Sequence, residues 1–63
     1  MQRYDEALAD YNRAIELDPS DVFTIIGRSQ TYRAMRRYGK ALADLRRAAK
    51  LDPDKTRAIL HPS

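Results

Sequence analysis

Cysteine and tryptophan are absent from this 63-residue chain, glycine occurs twice, and phenylalanine and histidine once each. Without cysteine there is no disulfide and no thiolate metal site to stiffen a small fold. Nothing requires an oxidising compartment, so a cytoplasmic setting is the default expectation. The single histidine, His61, stands beside Pro62 with no second histidine or cysteine to act with, and reads as a solvated tail residue rather than a metal ligand or a catalytic base. No Gly-rich phosphate loop is present. The longest apolar stretch, Val22 to Gly27, is broken by Thr24 and falls far short of the roughly 20 residues of a membrane span. Met1 to Glu6 lacks the apolar segment of a secretory signal. No enzyme chemistry, cofactor, metal or membrane partner is expected from these residues.

Charge is abundant and unevenly placed. Residues 1–27 carry two arginines against six carboxylates, a net −4, whereas residues 28–50 carry eight basic side chains against Asp44 alone, a net +7. A chain of this length hides only about 60% of its unfolded surface on folding, which leaves little stability in reserve.

Residues 1–29 return, shifted by 34, as residues 35–63, with 14 of the 29 aligned positions identical. Tyr4, Ala7, Leu8, Ala9, Asp10, Arg13, Ala14, Leu17, Asp18 and Pro19 reappear as Tyr38, Ala41, Leu42, Ala43, Asp44, Arg47, Ala48, Leu51, Asp52 and Pro53. A repeat of this length is one supersecondary unit that buries its apolar face only by stacking on other copies, so the chain is expected to be a piece of an array. Met1 is the counterpart of Met35, as suits an internal position of a longer array or a late start.

Within the repeat, Tyr4, Ala7, Leu8, Tyr11, Ala14 and Ile15 follow the 3,4 spacing of one helix face and predict a helix over about 3–17. Asp18-Pro19 must end it, because proline disfavours the helical region for the residue before it and has no N–H to donate. Ser20 or Asp21 then caps a second helix over about 21–35. Ile25, Ser29 and Tyr32 form one stripe of that helix, and Phe23, Ile26, Gln30 and Arg33 an adjacent one. A third helix over about 38–51 repeats the first, with Ala41, Leu42, Leu45, Ala48 and Ala49 as its apolar face, and stops at Asp52-Pro53. Lys55 to Leu60 is expected to form only a short turn that frays. The fold class is all-α.

These residues resemble the tetratricopeptide repeat family, whose 34-residue helix-turn-helix unit has a second helix much like Tyr4 to Pro19 and Tyr38 to Pro53. The resemblance spans the whole chain in an unusual frame. Residues 1–19 look like the second helix of a truncated repeat, 20–53 like one complete repeat, and 54–63 like the truncated start of the next. It implies an antiparallel solenoid fragment and a non-enzymatic role as a protein-interaction module or scaffold. Two departures stand out. Arg36 occupies the turn position where relatives usually have glycine, and Gly39 comes three residues later. The turn is thus weakly specified, and Thr31 to Leu51 running as one long helix stays open. Relatives that grip a peptide carboxylate use Lys, Asn and Arg where this chain has Phe23, Ile26, Gly27 and Gln30, which argues against that activity here.

Phe23, Ile26, Gln30 and Arg33 are the candidate peptide-binding residues, an apolar floor with polar edges suited to an extended or helical segment, and Phe23 and Ile26 serve equally well as structural residues covered by another copy of the chain. The basic run Arg28 to Lys50 admits a lesser reading as a non-specific nucleic-acid surface, though no base-reading pattern accompanies it. Tyr4, Tyr11, Tyr32 and Tyr38 fall on apolar stripes and are expected as buried packing residues. Asp10 and Asp44 are expected on outward faces in local pairs such as Asp10 with Arg13 and Lys40 with Asp44.

The first helix lacks a preceding partner, so part of the face bearing Ala7, Leu8, Tyr11 and Ile15 is expected to be uncovered and to drive self-association. Head-to-tail stacking or exchange of the third helix would supply the cover. The alternative is a structural block that binds only itself.

Overall fold

The computed structural model describes residues 3–60, which form four helices in chain order: α1 (Tyr4–Leu17), α2 (Val22–Ala34), α3 (Tyr38–Leu51) and α4 (Pro53–Leu60). The first three lie within a residue or so of their expected bounds. His61 and Met1 lie outside the described residues.

The two Asp-Pro steps end helices in the same way and start the next ones differently. Asp18 and Asp52 each close the helix before them through a backbone N–H to the carbonyl of Ala14 and Ala48 respectively. After Asp18, the carboxylate accepts from the backbone N–H and hydroxyl of Ser20, at 3.2 and 2.9 Å, and closes a turn. Asp21 then caps α2, accepting from the Phe23 N–H at 3.1 Å and the Thr24 hydroxyl at 2.9 Å. The counterpart of Asp21 is Lys55, which cannot accept. Capping of α4 therefore falls to Asp52, whose Oδ1 accepts from the Lys55 N–H at 3.0 Å with Pro53 in the first helical position. The expected C-terminal turn is thus a helix of eight residues.

Between α2 and α3 the chain bends. Arg36 has φ of 64°, the left-handed conformation that closes helices. The Arg37 N–H donates to the Tyr32 carbonyl at 2.8 Å and the Arg36 N–H to the Arg33 carbonyl at 2.9 Å, the paired bonds of a Schellman end. Gly39 sits inside α3 with an ordinary φ and takes no part in the bend. The continuous helix left open by the sequence is not the conformation adopted.

The core is small: Ile15, Val22, Ile25, Ile26 and Ala48, with Ile59 packed against it. α2 lies at the centre and meets α1, α3 and α4, whereas α1, among the described residues, meets α2 alone. Tyr11 lies close over Gly27, where an added Cβ would come within 2.7 Å of its ring. The glycine thus makes room for the α1–α2 contact.

Candidate functional site

The duplicated helices α1 and α3 carry the same residues in different surroundings. α3 buries Ala41 (5% exposed), Asp44 (5%) and Ala48 (0%). Their counterparts in α1 are the half-buried Ala7 and Ala14 and the exposed Asp10. On the adjacent face the order reverses, with Ile15 buried at 7% and Leu8 and Tyr4 half-buried in α1, while in α3 Ala49 is exposed, Leu42 is 50% exposed and Tyr38 62%. Each helix has one face covered by α2 and one face left partly bare.

The cover on α3 includes an ion pair. Arg28 of α2 donates from Nε to Asp44 Oδ2 at 2.8 Å and from Nη2 to Asp44 Oδ1 at 2.6 Å, and from Nη1 to the Asn12 side-chain carbonyl of α1 at 2.9 Å. One guanidinium thus ties together α1, α2 and α3. The hydrogen bond to Asp44 raises the Arg28 pKa against the opposing effect of burial. A raised basic pKa adds stability that is complete below the unfolded value and lost only as pH climbs through the folded one. For arginine both lie above any pH at which the pair would be studied.

This arrangement corrects three expectations. Asp44 faces inward, and its partner is Arg28, sixteen residues away, rather than Lys40. Lys40 instead stands over the Tyr32 ring, 5.6 Å from its centroid, with the Arg28 guanidinium 5.8 Å away. Asp10 makes no ion pair with Arg13; among the described residues the other salt bridge joins Arg3 and Glu6, both well exposed. The tyrosines also divide: Tyr4, Tyr11 and Tyr32 are half-buried, but Tyr38 is largely exposed, because it stands on the side of α3 that α2 does not cover.

The candidate groove stripe on α2 separates likewise. Phe23 is 57% exposed, and Gln30 and Arg33 are exposed. Ile26, at 2% exposure, belongs to the core and is closed to a ligand, because α2 has neighbours over a wider arc than one stripe. Lys55 of α4 stands 5.3 Å from the Phe23 ring centroid, a neighbour that no spacing along the sequence points to. Its ammonium adds a positive edge to the aromatic surface. Of the expected association residues, Ile15 is buried and Tyr11 lies against Gly27, so α2 already covers them; Ala7 and Leu8 are half-buried. Among the described residues there is no pocket that would enclose a small ligand, and no helix is long and apolar enough to cross a membrane.

The comparisons with known proteins agree with this architecture. Tetratricopeptide repeat models match residues 1–21 and residues 23–55. The chain belongs to the tetratricopeptide repeat family. Repeats of this family mediate protein–protein interaction or scaffolding, and the chain has the helical architecture for that role. No curated protein and no solved structure matches it.

Proposed function

We propose that this tetratricopeptide repeat chain is a non-enzymatic interaction module that holds a protein segment along the exposed side of α2, through Phe23, Gln30 and Arg33. The observation that carries this reading is Phe23, a large aromatic left 57% exposed on the central helix with a lysine beside its ring. A buried aromatic anchor framed by polar groups is what concentrates binding energy at protein interfaces. The positive edge from Lys55 and Arg33 favours a segment with acidic residues beside an apolar one.

Peptides selected from a random library on the intact chain test it. They are expected to lose most of their binding to Phe23→Ala and Gln30→Ala variants that melt like the parent. Peptides that bind parent and variants equally would remove the groove from α2.

A second reading, that copies of the chain associate with one another, is favoured by Tyr38 and Leu42, exposed at 62% and 50% on one side of α3. Apolar groups of that size gathered on a small domain mark a contact surface. The basic surface of α3 keeps nucleic acid as the remaining alternative. Binding of a random-sequence oligonucleotide at low salt, weakening steeply as salt rises, would favour it.

A further inference from the structure

The same outward face recurs on α1 and α3 with its charge rewritten. α2 packs against α1 on the side of Tyr11 and Ile15, and against α3 on the side of Ala41, Asp44 and Ala48. These are different sides of the duplicated helix, and among the described residues α1 and α3 do not meet. Positions 40, 43, 46, 47 and 50 of α3, like their counterparts 6, 9, 12, 13 and 16 of α1, lie outside both sides and are exposed. The packing of the repeat itself leaves this face open. On α1 it carries Glu6, Asn12, Arg13 and Glu16; on α3 it carries Lys40, Arg46, Arg47 and Lys50. Resting on the nucleic-acid reading of the basic surface, we infer that this face of α3 binds the phosphate backbone of a nucleic-acid duplex without regard to sequence, on a side of the molecule separate from Phe23.

At about 100° per residue, Lys40, Arg46, Arg47 and Lys50 fall within about 120° of the helix circumference and run about 15 Å along it. No carboxylate balances them. The one acid of residues 33–50 is Asp44, which faces inward and is held by Arg28 through both oxygens, so the basic side chains of that segment stand exposed and unopposed. The fold does not require this charge, since α1 forms the same helix with two glutamates on the same face. The charge also works against the helix. Arg46 and Lys50, four residues apart, repel each other. Lys40 stands in the first turn of α3, where the helix dipole opposes a cation and α1 instead has Asp5 and Glu6. Cations that weaken their own helix point to an anion outside it. A duplex presents one charge per about 1.7 Å of axis, so a row of this length meets a phosphate at every cation. Arg46 and Arg47, with Arg36 and Arg37 exposed just before the helix, add planar forks that match phosphate oxygens. Single strands are gripped by stacking bases on aromatic side chains, and the only apolar side chain on this face is Ala43. That leaves the regular phosphate backbone of a duplex as the partner. For the same reason the face has nothing to insert into a bilayer.

Fluorescence anisotropy with a labelled short DNA duplex of random sequence tests the face directly. The intact chain should bind it, and binding should weaken roughly a hundredfold between 50 and 200 mM salt, as about four phosphate contacts require. Lys40→Glu combined with Lys50→Glu gives α3 the residues that α1 already carries, so the variant should keep the parent's helical circular dichroism. It should bind the duplex about tenfold more weakly or worse, with a shallower salt dependence. Arg13→Glu combined with Arg57→Glu makes the same change in net charge at exposed positions off α3, and should retain most of the binding. If both double variants lose binding alike, net charge rather than this face is responsible and the inference fails, while nucleic-acid binding stands. A single strand of the same sequence bound as tightly as the duplex also overturns the inference and leaves nucleic-acid binding standing. A parent that ignores the duplex at 50 mM salt, whether or not it binds phosphatidylserine vesicles, removes both the inference and the reading on which it rests.

Discussion

Arg28 holds Asp44 across the α2–α3 interface through both carboxylate oxygens, while Asp10, the same residue one repeat earlier, stands in water. The pair gives the chain an internal control. Removing one partner of a buried ion pair strands the other charge, whereas an exposed carboxylate is already solvated. With the Arg28 side chain 18% exposed and that of Asp44 7%, Asp44→Ala is expected to cost about 2 to 4 kcal/mol. Asp10→Ala is expected to change the stability of the single chain by less than about 0.5 kcal/mol. Urea denaturation at low chain concentration checks both, and equal effects would contradict the assigned burial.

The two glycines should respond to alanine with opposite signs. Gly39 has an ordinary φ, and a Cβ added there would meet nothing within 4 Å, so Gly39→Ala gains helix propensity, by less than the ~1 kcal/mol of an interior position because it stands in the first turn of α3. At Gly27 the propensity gain is opposed by the Tyr11 ring, 2.7 Å from the added carbon. Displacing that ring costs on the order of 1 to 3 kcal/mol. In a Tyr11→Ala background the obstruction is gone and Gly27→Ala should become stabilising. A double-mutant cycle by thermal denaturation reads the change of sign.

Arg36 carries the left-handed bend between α2 and α3 with a side chain that disfavours it. Glycine adopts that conformation freely, at some cost in unfolded-chain entropy. Arg36→Gly is expected to raise stability by up to about 1 kcal/mol and to leave the helix content unchanged. A loss of stability would mean that Arg36 contributes through its side chain.

The helices are legible in the sequence because their signals are local. The 3,4 spacing of apolar residues and the two Asp-Pro steps fix where α1 and α3 run, whatever surrounds them. What each helix touches is not legible, because Asp10 and Asp44, Leu8 and Leu42, and Tyr4 and Tyr38 are identical pairs whose burial depends on whether a neighbour lies alongside. The Arg28–Asp44 pair spans sixteen residues and obeys no spacing rule within one helix, so spacing alone favours the nearer Lys40. Helical periodicity puts Ile26 on one stripe with Phe23, but α2 is central and buries a broader arc than a stripe predicts. The bend at Arg36 has no glycine to announce it; its backbone bonds to Tyr32 and Arg33 are what define it.

The reading that copies associate holds that they cover one another's bare faces, and the concentration dependence of melting tests it most directly. If copies cover one another, the midpoint should rise with chain concentration by on the order of 10 °C over a hundredfold range, since mass action then adds up to about 2.7 kcal/mol to a domain this small. A cooperative transition with the same midpoint across that range would mean that the chain folds alone with these faces in water, and would contradict the account.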